Sequence, residues 1–509
     1  MRLYIKWLTV FSFFLLLGLA AGPGPVASAA DYGAPGPFRA GWQQVTVTRP
    51  GGSTFTARLF YPATVTGQGT PYDASAAPYP AISFGHGFLT SRSYYQSTLE
   101  HLATWGYFVI ATESGMGLFP NHSNYADDLR YALTYVETAN ADPASWLLGQ
   151  VDVAHFGVAG HSMGGGASIL AAARDTRVDA VVNMAAAETN PSATASMPAV
   201  QVPIRLIVGS ADGIVSPSTT QAMYNNGHPP RQFANIQGGW HCGFLDSNNL
   251  GCDSGSMARA AQLQRTRRLL TEFFNLYLKG DQASWRAVWG PEWDDDPQVI
   301  ISLDAGQALA PDVQVGETYF GAEAAYMLTL TNSSPYATSY TLLAEENAWP
   351  LAFSPAVTPS LGPGQTTTVQ MTVRPPAGTA AVQEGALVSA RSDRDAGTRS
   401  YARVATQALA FAAAIARDGD ALVLTWTASD ADCSYRVHRA TAPYFAPAAD
   451  TLIDTLPRGS SAATDETPGI VGDPAINYTY LVRAVCGATW VDASYLGEFD
   501  FGLNPGTVP

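Results

Sequence analysis

Charge is scarce in this 509-residue chain, at 14% of residues, and positive charge is scarcest: 27 Lys and Arg stand against 42 Asp and Glu. The formal net charge of −15, with no Lys/Arg-rich run, argues against nucleic acid or an anionic membrane as the partner. Long apolar runs are also scarce. The run over 8–21 falls short of the ~20 residues of a comfortable membrane span, and no second one follows, so no stable membrane insertion is expected. Cysteine is limited to Cys242, Cys252, Cys433 and Cys486, without CxxC spacing or paired histidines, which disfavours a metal site. Asp294-Asp295-Asp296 reads as a solvated turn ahead of a cation site. Neither metal nor organic cofactor is expected.

What is present points outside the cytoplasm. Arg2 and Lys6 precede the short apolar run, and Gly-Pro-rich residues then lead to Ala27-Ser28-Ala29, a small-x-small cleavage site. The segment 1–29 therefore reads as an export signal, with an uncleaved anchor as the alternative. An even cysteine count in an exported chain favours disulfides, and locality selects Cys242–Cys252 and Cys433–Cys486 among three pairings. A secreted monomer is expected.

Length favours two to four domains. Residues 30–280 alternate strand and helix signals. A hairpin over 41–61 turns at Pro50-Gly51-Gly52, and buried strands read at 79–84, 107–113, 151–158, 178–186 and 203–208. Helices read at 94–105, 124–140 and 257–279, the last closed by Gly280. Such alternation predicts an α/β fold, a mostly parallel sheet with helices on both faces. The Trp- and Asp-rich stretch 281–297 reads as a linker. Alternating strands then predict two all-β sandwiches, an Ig-like one over 298–407 and a second over 408–509. In the second, Leu422–Trp426 and 435–439 resemble the B and C strands of fibronectin type III modules.

Gly160-His161-Ser162-Met163-Gly164 carries the chemistry. It lies between a buried strand and a small, apolar helix, the setting of a nucleophile elbow. That turn lifts the serine hydroxyl clear of the sheet and points a helix N-terminus at it. An acid and then a base follow such a serine in chain order. Asp212, in the loop after 203–208, is the candidate acid, with Glu188 and Asp246 as rivals. His241, on a loop after 232–237, is the candidate base. His161 adjoins Ser162 and would point away from its hydroxyl. Two amides must hold the oxyanion. Met163 supplies one, and the loop Phe84-Gly85-His86-Gly87-Phe88 the other, from Phe88 or, one register away, Gly87 or Leu89.

Through Gly85-His86-Gly87-Phe88, Gly160 to Gly166, Gly209-Ser210-Ala211-Asp212 and His241, residues 40–280 resemble the α/β-hydrolase family that includes bacterial cutinases and polyester (PET) hydrolases. Chlorophyllases and platelet-activating-factor acetylhydrolases are more distant relatives. The resemblance implies that an aromatic residue at Phe88 both donates its amide and packs on the acyl group. It also implies a Trp on the loop after the next strand, where this chain reads Ala185-Ala186-Ala187-Glu188-Thr189-Asn190. Trp240 is the candidate substitute in substrate binding, or else a packed structural Trp.

The expectation is a serine carboxylic-ester hydrolase with a catalytic Ser162, Asp212 and His241 and an open cleft. The segment 188–202 is too short for a large helical cap, which suits bulky or polymeric esters. A lipase or an acylhydrolase of small esters or phospholipids is the alternative within the fold. A non-catalytic adhesion or polymer-binding protein is the alternative outside it.

Overall fold

The computed structural model describes residues 31–319, 322–376, 383–409, 411–426, 433–471, 476–486, 489–493 and 495–497. The expected export signal over 1–29 lies outside them. Among the described residues no helix is long and apolar enough to cross a membrane.

The chain opens with a hairpin of β1 (Arg39–Thr48) and β2 (Thr54–Ala63), and a short β3 (Gly67–Gln68) lies beside β1. The sheet centre is built from β4 (Tyr79–Gly85), β5 (Phe108–Thr112), β6 (Val151–His161), β7 (Val178–Met184), β8 (Ile204–Gly209) and β9 (Arg231–Ile236). These six run parallel, in the order β9-β8-β7-β6-β4-β5. Every residue of β4, β5 and β8 is buried. That is why these strands read as continuous apolar runs: helices cover both faces of a parallel sheet.

The α-helices are α1 (Gln96–Thr104), α2 (His122–Ala141), α3 (Met163–Ala172), the single turn α4 (Ala193–Ser196), α5 (Pro217–Asn226), α6 (Arg259–Leu278) and the single turn α7 (Trp285–Val288). Asn121 caps α2, its side chain accepting from the Asn124 amide at 2.9 Å. The all-small start of α3, Gly164-Gly165-Gly166-Ala167, lets the helix backbone press onto the sheet.

Two expectations need correction. The stretch read as a linker is part of the α/β core, with Trp285 and Trp289 each only 2% exposed among Phe273, Phe274 and Leu276. The expected opening of the first sandwich is instead β10 (Val299–Asp304), paired antiparallel with β9 at the sheet edge. The sheet thus has ten strands, in the order β10-β9-β8-β7-β6-β4-β5-β2-β1-β3. Tryptophans packed from single helical turns such as Trp285–Val288 leave no periodic signal, so composition alone placed the boundary too early.

Two pairs of sheets follow. Strands over 307–409 form two four-stranded sheets that enclose Tyr326, Leu328, Val369, Met371 and Val388. Strands over 413–497 form a three-stranded and a five-stranded sheet around Leu422, Leu424, Tyr435 and Val482. Pairing is antiparallel except where Val313–Tyr319 lies parallel to Arg399–Leu409. Both expected disulfides are present, Cys242–Cys252 and Cys433–Cys486.

Candidate active site

Ser162 stands between β6 and α3 at φ 56° and ψ −119°, a left-handed backbone conformation that a non-glycine residue adopts only under constraint. The constraint is local packing. A Cβ on Gly160 would lie 2.3 Å from the Gly164 carbonyl oxygen, and one on Gly164 would lie 2.1 Å from that of Gly85. Only glycine at both positions lets β6, α3 and the β4 loop meet around the serine. The turn is also bonded in place: the Ser162 amide donates to Met184 O at 2.9 Å, and Ser162 O accepts from Gly166 and Ala187.

Asp212 follows β8, and His241 follows β9. Asp212 Oδ2 lies 2.8 Å from His241 Nδ1, and Oδ1 accepts from the Ile214 and Val215 amides at 2.9 and 2.7 Å. The carboxylate is fully buried, so each oxygen has one fixed task. The His241 ring packs against the His161 ring with centroids 4.4 Å apart, which sets it beside the elbow. Among the described residues, Ser162 Oγ forms no hydrogen bond with the imidazole. Such bonds commonly tighten only when substrate is bound.

The rivals for the acid are occupied elsewhere. Asp246 accepts from the Ser97 amide and hydroxyl. Glu188 accepts from Thr189, Ala193 and Thr194 within its own loop. Burial pushes the Glu188 carboxyl up, but hydrogen bonds from Thr194, Thr189, Ser192 and Ala193 outweigh that and hold it below the ordinary value. It stays ionised.

The loop after β4 turns back over the elbow. A Cβ on Gly87 would meet His161 Nδ1, the Tyr95 hydroxyl and Ser162 Cβ, all within 3.3 Å. Among the described residues neither the Phe88 nor the Met163 amide has an acceptor, so both are free to donate. Leu89 holds φ 51°, and its carbonyl accepts from Asn249 Nδ2 at 3.0 Å. His86 is buried, with Nδ1 2.8 Å from Gly87 O and Nε2 2.9 Å from Ser114 O. Burial pushes its pKa down, so it is a structural neutral imidazole.

An open groove of about 920 Å³ runs from Ser162 and Met163 between Phe88, Leu118, Phe119, His122, Glu188 and Ile214. Trp240 is not part of it. That ring is 8% exposed, donates to Met257 O at 3.3 Å and lies under Arg259, so the substrate-binding reading is corrected to a structural one. The aromatic residue missed from sequence is Phe119, 96% exposed at the groove mouth. The adjacent apolar pair Leu118-Phe119 inside a Gly-, Pro- and Asn-rich loop is the signal that marks it.

Asp253 was also missed. Its Oδ2 accepts from the Gly213 and His241 amides, both at 2.9 Å, and its Oδ1 from the Cys242 amide at 3.0 Å. One carboxylate thereby joins the loop of Asp212 to that of His241. Among the described residues, no group of three or more His, Cys, Asp or Glu side chains is gathered as a metal site requires.

In comparison with protein families, residues 18–261 match the family described as PET hydrolase-like. That match supports the cutinase and polyester-hydrolase branch of the α/β-hydrolases for this part of the chain. Among curated proteins none matches the chain.

Proposed function

We propose that this chain is a secreted serine hydrolase of carboxylic esters. Ser162 Oγ attacks the ester carbonyl carbon while His241 Nε2 takes its proton. Asp212 keeps the proton on Nδ1 and stabilises the imidazolium that forms. The Met163 and Phe88 amides receive the oxyanion, helped by the positive end of α3. Collapse expels the alcohol, protonated by His241, and leaves an acyl-enzyme on Ser162. Water then attacks, with His241 again as the base. The observation that carries this reading is the buried Asp212–His241 pair packed against the strained turn of Ser162.

The groove supports a substrate class. It is open and apolar at its mouth, through Phe88, Leu118, Phe119 and Ile214, and carries the ionised Glu188 on one wall. Neutral, bulky acyl groups suit it, and anionic ones are repelled. Polyester is the extreme of that class, with Phe119 offering the aromatic contact that Trp240 does not. Export is supported by the two disulfides, which persist in oxidising compartments.

The test pairs fluorophosphonate labelling with turnover of p-nitrophenyl esters of rising chain length and of a polyester film. Ser162→Ala is expected to abolish labelling and lower kcat by ~10³-fold or more. Wild-type protein that neither labels nor turns over would favour a non-catalytic, polymer-binding role.

A further inference from the structure

Tyr95 lies one residue before α1, far from Ser162 in sequence and without exposure to solvent. Its hydroxyl is a meeting point. The Gly87 amide donates to it at 3.0 Å, His161 Nδ1 lies 2.8 Å away, and Thr90 Oγ1 lies 3.3 Å away. The protons can be placed by elimination. Thr90 spends its own on Gly87 O at 2.8 Å. Burial holds His161 well below its ordinary pKa, and it pushes the Tyr95 phenol up, so the imidazole is neutral and the phenol keeps its proton. The Gly87 N–H occupies the phenol oxygen as acceptor, and the phenol O–H then donates to His161 Nδ1.

Each end of this relay leads to the proposed chemistry. Gly87 immediately precedes the amide of Phe88. His161 immediately precedes Ser162, and its ring packs on that of His241. From these contacts we infer that Tyr95 is a positioning residue, which sets the oxyanion loop at a fixed distance from the elbow and backs the ring stack that holds the base. It touches neither substrate nor reacting atoms. The inference rests on the proposed roles of Ser162, His241 and Phe88.

Tyr95→Phe removes one oxygen and keeps the ring packed on Phe84. The Gly87 amide loses its acceptor, and the loop drifts from the elbow. Misplacement of about 1 Å at a reacting centre costs up to ~10²-fold, so kcat is expected to fall by about 10- to 100-fold with KM within about twofold. The Ki of a boronic acid, which takes up the tetrahedral oxyanion geometry, should rise in parallel with the loss in kcat/KM. Tyr107→Phe is the matched control: it deletes an equally buried hydroxyl, bonded to Asn275 Oδ1 at 2.6 Å, away from the site. Both variants should lose thermal stability, but only the Tyr95 variant should lose kcat and boronate affinity. His161→Phe, which removes the acceptor and keeps a ring beside His241, gives the same reading if Tyr95→Phe does not fold. Wild-type kcat and Ki in the folded Tyr95 variant, or an equal kcat loss in the Tyr107 control, would overturn the inference. Ser162→Ala separates the two levels. If it is inactive while Tyr95→Phe is unaffected, only the role of Tyr95 fails. If it stays active, the mechanism fails and the role of Tyr95 falls with it.

Discussion

Three histidines of the α/β unit are buried as neutral rings, and each is a site where acid acts on stability. Burial and then the nearby Arg267 push His101 down to about 4, while its Nε2 lies 3.0 Å from both Tyr32 O and Thr271 Oγ1. His86 and His161 are pushed down as well, by burial first. In the unfolded chain each takes up a proton near pH 6.5. Below that value the unfolded state binds more protons than the folded one. The stability these groups contribute is therefore complete above about pH 6.5 and is lost as pH falls below it, for His101 until about 4. For His101 alone the loss is on the order of 3 kcal/mol. Thermal unfolding at constant ionic strength should show Tm falling from pH 7.5 to pH 5. His101→Gln, whose amide nitrogen can replace Nε2 against Tyr32 O, should flatten part of that fall. An unchanged slope in the variant would assign the acid sensitivity to other groups.

The loop closed by Cys242–Cys252 shows how one element serves two sides of the groove. Asn249 holds the Leu89 carbonyl, and Asp246 binds Ser97 at the start of α1. Asp253, next to the bridge, gathers the Gly213, His241 and Cys242 amides. Closure of so short a ring is worth at most about 2–3 kcal/mol, so its larger effect is on the position of His241. Paired Cys242→Ser and Cys252→Ser changes should lower Tm modestly and kcat clearly, with KM nearly unchanged. Asp253→Asn, which sets an N–H against an amide donor, should shift kcat in the same direction with the bridge intact. A Tm loss without a kcat loss in both would confine the loop to stability. The bridge was legible because its cysteines are neighbours in sequence, and the elbow because its steric demands fall on adjacent glycines. Asp253 was not, since a lone carboxylate that accepts amides from residues 12 and 40 positions away leaves no local pattern. Phe119 was passed over because an exposed aromatic in a loop has no period. Trp240 drew the substrate role only by its place beside His241.

The same limit of local pattern decides how far the catalytic unit extends along the chain. The sequence suggests an end near 281, but the core continues through Trp285, Val288, Trp289, Val299 and Ile301. Each large apolar side chain contributes about 1.5–3 kcal/mol when fully buried, and together they rival the whole ~5–15 kcal/mol stability of a domain. A cut at 281 also leaves the β10 side of β9 without a partner strand and removes the Val288 carbonyl that takes the buried Gln232 amide at 2.7 Å. The first sandwich adds to this face. Leu387 joins the same core, Arg399 lies over Trp285 and bonds Gln282 at 2.6 Å, and Thr398 meets the Tyr277 hydroxyl at 2.9 Å. The second sandwich closes around a separate core of its own. Two truncations therefore have opposite expected outcomes. A chain ending at 281 should aggregate or melt many degrees lower, and a chain ending at 409 should keep its Tm and its turnover of soluble p-nitrophenyl esters within about twofold, because additivity holds for units without a shared core. Comparing the two by thermal unfolding and ester turnover checks the division, and a stable, active chain ending at 281 would show that the tryptophans and β10 are dispensable.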